Sequence, residues 1–470
     1  MDAELVVSSR ARKILIWLVA GSFFMEMLDG TILNNAVPTL AVYFGRSPFR
    51  MQMVLVAYLL TAALFIPISG WMADRFGTKK VFFSAISLFT TGSFLCAMAP
   101  TFEMLIVFRI LQGLGGAMMV PVGRLIVLKT HPRSELVQAM SIITIPALVG
   151  PLVGPTLGGL ILKFWNWHWL FLINIPVGVV AAILTYFYLP DIKREKSVPF
   201  DWIGFYLFGG ATVLISLAVD GAGELHLRFN IVLLFLVLGL AHLVGYWFFS
   251  HYAAYPLFSP NLFRIRCFSI GVAGNLFARL ANGAIPFLIP LLLQVSFGYT
   301  PLAAGLTMIP LSLAAISAKA FVRFLPSRMG YRRFLLINTC LLGIMIGSFV
   351  FVTKETPYVF LLIHLCLLGT VNSMQFTAMN ALALYDLTTD LESSGNSILS
   401  VVIQVATSMG VASAATLLVF YTHGMNIDLH ANMLSAFHKT FFTVGSIAFV
   451  AAFIFLGVPG TKGKLPTEDV

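Results

Sequence analysis

Two acidic residues stand within the first long apolar segment of the chain, in the stretch FFMEMLDGTI. Glu26 and Asp29 are three positions apart, so on a helix their side chains project to the same side. A carboxylate at bilayer depth is costly unless it is protonated, paired or hydrated. A buried carboxyl group also changes its protonation when the charges around it change. This pair of residues is therefore suited to taking up and releasing protons.

Two arginines in other apolar segments lie at matching depths. A rise of 1.5 Å per helical residue puts Asp29 and Arg109 at a similar level, roughly 8 Å below one surface of the apolar core. The same count puts Glu26 and Arg279 each about 18 Å from the opposite surface. We predict a polar layer in which Asp29 carries the proton beside Arg109, and Glu26 lies across from Arg279. Static salt bridges are the alternative reading of both pairs.

The composition is that of a polytopic membrane protein. The 470 residues are 59% hydrophobic and 10% charged, with a mean hydropathy of +0.93. Soluble globular domains are roughly 25% charged. The formal charge of +10 comes from short basic clusters between the apolar runs, which is typical of topology signals. We expect the lipid bilayer as a partner and no nucleic acid.

Catalytic and cofactor motifs do not occur in this sequence. The four cysteines are scattered and form no CxxC or Cys/His pattern that could build a zinc or redox site. There is no GxxxxGK[ST] phosphate loop, which disfavours an ATP-driven pump. We therefore expect no enzyme activity, no metal and no cofactor.

Fourteen segments are apolar over about the 20 residues that a membrane helix needs. They are residues 14–38, 51–72, 81–99, 103–128, 137–162, 169–189, 202–219, 229–250, 268–295, 302–325, 334–353, 358–384, 396–420 and 438–458. Lysine and arginine concentrate at one set of segment ends, twenty against six at the other. Because basic ends face the cytoplasm, we expect both termini there.

The two halves of the chain resemble each other at a shift of 253 residues. That shift lays FFMEMLDGTI over LFARLANGAI, so Glu26 meets Arg279 and Asp29 meets Asn282. It also lays DRFGTKK over SRMGYRR. Two matches in one register predict duplicated six-helix bundles with a substrate site at their interface. The predicted parts are residues 1–190, a pair of linker helices in 191–257, and 258–470 with a short cytoplasmic tail.

A basic turn, GWMADRFGTKK, follows the second apolar segment. Its glycines permit a tight turn, and its acidic residue can cap a helix or pair with an arginine. The spacing is similar to the loop signature of the major facilitator superfamily, although the second copy has Ser327 at the acidic position. A purely topogenic loop is the alternative. The resemblance implies a gating loop, with the candidate residues Gly70, Asp74, Arg75, Gly77 and Lys80.

The fifth apolar segment carries GPLVGPTLGG. Small residues four positions apart form a flat face that another helix can approach closely. Ordinary tight packing is one reading. The pattern also resembles the signature of the antiporter branches of the superfamily, which implies export against an entering ion. The residues of this motif are Gly150, Gly154, Pro155, Gly158 and Gly159.

Three further stretches carry the same resemblance. LDGTILNNAVP is similar to the first-helix signature LDxTIxNxALP, FRILQGLGGAMMVPVGR to RxxQGxG, and WHWLFLINIPVG to WRWxFxINxPxG with His168 at the arginine position. Together they identify the chain as a member of the fourteen-helix drug:proton antiporters of the EmrB and QacA type, nearest to MdtD-like exporters. The resemblance implies an all-α major facilitator fold in the bacterial inner membrane, with two six-helix bundles and two inserted helices, fourteen in all.

Polar side chains inside the apolar segments are candidates for contact with a small-molecule substrate. They are Asn34, Gln112, Arg279, Asn282, Asn372, Gln375 and Gln404. Intramembrane amides also commonly tie helices together, which is the alternative for part of this set.

The resulting prediction is a monomeric, proton-coupled antiporter that exports amphipathic drugs or small metabolites by alternating access. Its closest rival keeps the fold and changes the cargo to an anionic metabolite, a siderophore or a citrate-like metal chelate, because arginines and amides could line the cavity. A proton-coupled symporter is a weaker alternative.

Overall fold

The computed structural model describes residues 9–191, 199–222, 228–318, 329–387, 389–422 and 430–459. In these ranges the regular secondary structure is helical and contains no strand, as the apolar segments of membrane length predict. Contacts divide the chain into two compact units, Met1–Phe200 and Asp201–Val470.

The first unit begins with a helix that is interrupted just beyond the two acidic residues. A 3₁₀ turn, Leu33–Asn35, separates its first two helices, and Pro38 lies in the first turn of the second of them. Proline is tolerated there because the first backbone N–H groups of a helix have no internal partner. The described helices of this unit are α1 (Ser9–Ile32), α2 (Val37–Phe44), α3 (Gln52–Phe76), α4 (Thr78–Ala97), α5 (Phe102–Thr130), α6 (Arg133–Phe164), α7 (Trp169–Leu172) and α8 (Asn174–Tyr188).

The second unit is also helical throughout its described part. Its helices are α9 (Trp202–Ala222), α10 (Phe229–Tyr252), α11 (Arg266–Gly283), α12 (Ile285–Leu291), α13 (Pro301–Thr307), α14 (Ile309–Ser317), α15 (Tyr331–Gly347), α16 (Tyr358–Leu384), α17 (Thr389–Thr422) and α18 (His430–Ala451). Helix α9 is joined to α17 by the Thr416 hydroxyl, which donates to the Val219 carbonyl at 3.0 Å. The three-part division of the sequence stays a prediction.

Twelve helical stretches in the described ranges are long and apolar enough to cross a membrane. Two shorter apolar stretches, Val153–Phe164 within α6 and Pro301–Ser317 across α13 and α14, stand where the fifth and tenth segments are expected. A polytopic helical membrane protein is therefore confirmed, and the count of fourteen spans stays a prediction.

The repeat has a backbone counterpart. Gly77 and Gly330, which are paired by the shift of 253, have φ values of 96° and 80° with ψ values of 144° and 146°. Positive φ is accessible to glycine at little cost. Each glycine immediately precedes a long helix, α4 or α15. The two glycines thus adopt the same backbone conformation at the same point of the repeat. Residues 319–328, which precede Gly330 in the second copy, lie outside the described residues.

Close helix contact in the first unit positions the polar residues of α5. A Cβ atom at Gly92 of α4 would lie 2.8 Å from the backbone of Gln112. One at Gly115 of α5 would lie 2.5 Å from the backbone nitrogen of Phe89. Such distances leave no room for a side chain, so glycines bring α4 and α5 together and hold the α5 side chains at a defined level.

Candidate functional site

Asp29 is the centre of a buried hydrogen-bond network in the first unit, and its exposed fraction is 0%. Its Oδ2 atom accepts a hydrogen bond from Arg109 Nη1 at 2.6 Å. Its Oδ1 atom accepts from Gln112 Nε2 and Asn174 Nδ2, each at 2.9 Å. The three donors come from α5 and α8, so one carboxylate joins these helices to α1. The predicted proximity of Asp29 and Arg109 is confirmed.

The guanidinium group of Arg109 makes further contacts besides the one with Asp29. Nη1 also donates to Gln112 Oε1 at 2.8 Å, and Nε donates to the Val54 carbonyl at 3.3 Å. The group lies over the Tyr58 ring, 4.3 Å from its centroid, which allows a cation–π interaction. A buried ion pair is tolerated only when the remaining donors and acceptors are also satisfied. In the Asp29–Arg109 pair, both carboxylate oxygens and the Nε and Nη1 atoms of the guanidinium have hydrogen-bond partners.

Asn174 extends the network to α4. Its amide nitrogen also donates to Ser93 Oγ at 3.0 Å, and Ser93 Oγ donates to the Phe171 carbonyl at 2.9 Å. Neither Asn174 nor Ser93 was singled out from the sequence. The available signal was an asparagine inside the apolar stretch WHWLFLINIPVG, since intramembrane amides usually have a partner.

Glu26 has a different environment from Asp29, although it is also buried, at 5% exposed. Its polar neighbours are Asp29, Tyr58 and Arg124. Within the described residues, neither Glu26 Oε2 nor the Tyr58 hydroxyl makes a hydrogen bond of standard geometry. Buried polar atoms are normally paired, so this carboxyl group is open to a proton or to a donor on a ligand.

The small residues of the fifth segment pack against the part of α1 that carries the two acids. A Cβ atom at Gly150 would lie 2.9 Å from Met27 Cβ. At Gly154 it would collide with the Thr31 side chain, and at Gly158 with a backbone carbonyl of α1. The motif therefore sets the distance between α6 and α1. Its link to the direction of transport stays a prediction.

A hydrogen bond strengthens this contact at the interruption after α1. Asn35 Nδ2 donates to the Pro155 carbonyl at 2.7 Å. Asn34, a candidate for substrate contact, is buried beside it in the 3₁₀ turn, and Gly159 is buried on α6. The motif thus fixes both α1 and the turn that follows it.

The candidate gating loop joins α3 to α4. Asp74 Oδ1 lies 3.4 Å from Lys129 Nζ on α5, within ion-pair distance. The expectation that Asp74 caps a helix or pairs with an arginine stays a prediction. Arg75 lies over the Trp71 ring at 5.8 Å. A Cβ at Gly77 would press on the carboxylate of exposed Asp191, and the φ of 96° at Gly77 disfavours a residue with a side chain.

Two other residues of this motif, Gly70 on α3 and Lys80 on α4, face open space. No atom lies within 4 Å of a Cβ built at Gly70, and Lys80 is exposed. The part played by this loop in gating stays a prediction.

Two of the amide candidates for substrate contact lie deep in the protein. Gln112 is engaged with Asp29, as described above. Gln375 is 0% exposed and donates to Thr339 Oγ1 at 2.6 Å, and its Oε1 atom accepts from Asn338 Nδ2 at 3.0 Å. These bonds join α15 to α16 and favour a structural role for Gln375. Gln404 is partly buried on α17.

Arg279 has no carboxylate within ion-pair distance among the described residues of the second unit. Its Nε atom donates to Asn275 Oδ1 at 2.9 Å, and its guanidinium lies 4.0 Å from the centroid of the Phe376 ring. In the same described part, the buried Oδ1 atoms of Asn282 and Asn372 lack a hydrogen-bond partner. The second unit therefore holds a cation and two acceptors that can receive a ligand.

The buried Asp29–Arg109 pair and the unpaired polar groups thus lie in helices of membrane length. The chain belongs to the major facilitator superfamily, whose family model matches residues 19–411. It is therefore a membrane-spanning transporter.

Relatives and solved structures agree with this assignment. The chain is 42% identical to a putative multidrug resistance protein MdtD of Yersinia enterocolitica, over 96% of this chain and 97% of that protein. It is 43% identical to a putative MdtD of Serratia proteamaculans, over 97% and 95% of the two chains. The crystal structure of a bacterial homologue of the lysosomal transporter Spinster superposes with a TM-score of 0.68 at 14% identity, covering 96% of this chain and 97% of that one. That last likeness concerns the fold alone.

Proposed function

We propose that this protein exports amphipathic drugs from the cytoplasm in exchange for protons. The observation that carries the proposal is the buried network of Asp29 and Arg109 with the partly unsatisfied Glu26 beside it. The multidrug resistance proteins that share over 40% of the sequence along nearly the whole chain support drugs as the cargo.

The paired carboxylate supplies the proton step. In the present arrangement Asp29 is the counterion of buried Arg109 and accepts three hydrogen bonds, one of them from the Arg109 guanidinium. A proton on Asp29 would leave Arg109 buried without its counterion, and breaking a buried pair costs about 3–5 kcal/mol. Loading the proton therefore destabilises this arrangement of α1, α5 and α8 relative to one in which Arg109 is solvated or otherwise paired.

Glu26 supplies the exchange step. A proton and a cationic drug both neutralise a buried carboxylate, so they compete for the same negative charge. Competition for one charge is sufficient for antiport when each occupant favours a different arrangement of the helices. An entering proton contributes about 2.3 kcal/mol for each 100 mV of membrane potential.

The remaining parts of the proposal concern architecture. We place fourteen helices in the bacterial inner membrane with both termini in the cytoplasm, on the basis of the lysine and arginine distribution. The contact of the glycine motif with α1 supports a role for α6 in moving the part of α1 that carries Glu26 and Asp29. The lysine-paired Asp74 supports a role for the α3–α4 loop in holding one arrangement of the first unit.

Efflux from cells tests the proposal. Cells that produce wild-type protein should extrude a lipophilic cationic dye and stop when a protonophore collapses the gradient. Asp29→Asn should abolish extrusion at equal expression. Glu103→Gln is the matched carboxylate-to-amide control, because the Glu103 side chain is 61% exposed and pairs with Arg46 at the protein surface. Normal extrusion by Asp29→Asn would refute proton coupling through this residue.

A second cargo is favoured by one observation in the second unit. Arg279 has no acidic partner among the described residues of the second unit, and its guanidinium lies over the Phe376 ring. This arrangement suits an anionic group. If the cargo is an anion, vesicles should transport a radiolabelled carboxylate better than the dye, and Arg279→Gln should lose that transport. Transport of the dye alone, unchanged in Arg279→Gln, would rule this candidate out.

A further inference from the structure

An apolar groove of about 350 Å³ runs between α1 and α8 of the first unit. It is lined by aliphatic side chains, one tryptophan ring and one glycine. Its lining includes Trp17, Leu18 and Gly21 of α1 and Pro176, Val180 and Leu184 of α8. None of these side chains is ionisable, so the groove suits a hydrocarbon chain and not a hydrated solute.

Gly21 creates the opening of this groove. A Cβ atom built at this position would meet no atom within 4 Å. Trp17, one turn earlier on α1, is 67% exposed. Tryptophan is enriched where membrane helices meet the headgroup layer. The groove therefore begins below the membrane surface at Trp17 and continues inward past Gly21.

Two basic residues lie on the same helical face, above the groove. Arg10 and Lys13 precede Trp17 and Gly21 at spacings of three and four, which place all four on one side of α1. Both bases are exposed, and no acidic partner lies within ion-pair distance of either among the described residues. Arg12 differs, because it pairs with Glu135 at 3.3 Å.

The separation of charge and groove matches one leaflet of a bilayer. Gly21 follows Lys13 by eight positions, which corresponds to about 12 Å along a helix. Half of the hydrocarbon core is roughly 15 Å thick. A lipid whose phosphate lies at Lys13 would therefore place its acyl chain alongside Gly21.

We propose that the groove between α1 and α8 is a binding site for one anionic phospholipid, whose phosphate pairs with Arg10 and Lys13 and whose acyl chain lies against Trp17 and Gly21. In the orientation expected from the basic residues this lipid belongs to the cytoplasmic leaflet. Basic clusters at the cytoplasmic ends of membrane helices recognise anionic headgroups. A zwitterionic lipid can fill the apolar groove but gains less from the two bases.

Native mass spectrometry of the purified full chain tests this site. Dioleoylphosphatidylglycerol and dioleoylphosphatidylethanolamine are titrated separately in detergent. We expect wild type to bind one phosphatidylglycerol at least ten-fold more tightly than phosphatidylethanolamine. Gly21→Leu, which fills the groove, should weaken phosphatidylglycerol binding at least ten-fold. Arg10→Gln with Lys13→Gln should bring the two lipids to equal affinity.

Gly347→Leu is the matched control, because a Cβ at this helical glycine of the second unit also meets no atom within 4 Å. It should bind phosphatidylglycerol as wild type does. Unchanged phosphatidylglycerol binding by Gly21→Leu, or an unchanged lipid preference in the double glutamine variant, would overturn the proposal. The glutamine substitutions are at exposed positions, so they decide the matter if the leucine variant fails to fold. The readout is lipid binding and does not depend on the transported cargo.

Discussion

At the scale of single residues, the two acids of α1 are not equivalent. Asp29 accepts hydrogen bonds from Arg109, Gln112 and Asn174, whereas one oxygen of Glu26 has no described hydrogen-bond partner. The spacing of the acids and the depth of Arg109 could be predicted by counting helical residues. The contribution of Asn174 could not, because which amide reaches a carboxylate depends on how α8 packs against α1.

Removal of Arg109 tests whether the buried pair behaves as one unit. Arg109→Gln should lower the free energy of unfolding by about 3–5 kcal/mol, because it leaves Asp29 charged and buried. Adding Asp29→Asn should restore part of that stability, since no charge then remains. Denaturant unfolding in detergent measures both. A double variant whose loss equals the sum of the two single losses would contradict the pairing.

Tyr58 connects the surroundings of the two acids. Its ring lies under Arg109, and its hydroxyl adjoins Glu26 without a standard hydrogen bond. Tyr58→Phe should therefore keep the unfolding temperature of wild type, since the ring remains and no good hydrogen bond is lost. Tyr58→Leu should lose about 0.5–2 kcal/mol from the cation–π contact, in addition to the cost of poorer packing. Equal destabilisation by both variants would show that the hydroxyl, not the ring, stabilises the site.

At the scale of helices, the glycines of α6 determine how closely α1 can approach. The pattern GPLVGPTLGG predicts a close helix contact, but no periodicity says which helix is the partner. The structure brings Gly150, Gly154 and Gly158 against the stretch of α1 from Met27 to Ile32. A motif that resembles an antiporter signature is thus in contact with the helix that carries the acids.

Gly158→Ala tests the importance of that contact. The added methyl group would press on an α1 carbonyl, and overpacking of this kind costs about 1–3 kcal/mol. Gly347→Ala adds the same group where no atom lies within 4 Å, and it should gain about 0.5–1 kcal/mol from helix propensity. Thermal unfolding should therefore shift in opposite directions. A shift in the same direction for both would argue against the packing described for α6.

At the scale of the whole molecule, the helical class and the repeat were accessible from the sequence, because apolar runs of membrane length and matched motifs are local signals. The turns at Gly77 and Gly330 agree with the repeat. The contact of Asp74 with Lys129 could not be predicted from the sequence, because a lysine and an arginine on neighbouring helices are equally compatible with the loop pattern. Twelve helical stretches of the described residues are long and apolar enough to span a membrane. Whether α6 and the α13–α14 pair also span it is a question for experiment.

Cysteine labelling decides whether α6 crosses the membrane. Asn166 is exposed just beyond the end of α6. In a background without the four natural cysteines, Asn166→Cys should react with an impermeant maleimide added to spheroplasts. Lys80 is exposed in the first turn of α4, which is at the cytoplasmic side in the expected topology. Lys80→Cys should therefore react only after the membrane is opened. Protection of Asn166→Cys from the external reagent would contradict fourteen spans.

The most direct measurement of the central claim uses purified protein in vesicles with an imposed pH gradient. Wild type should drive a lipophilic cation across the membrane against its concentration gradient, and the same cation gradient should move protons in return. Asp29→Asn should abolish both fluxes while the protein still unfolds in one cooperative transition, at a temperature below that of wild type because Arg109 loses its counterion. Coupled fluxes of normal size in the Asp29→Asn protein would contradict the assignment of proton coupling to the Asp29–Arg109 network.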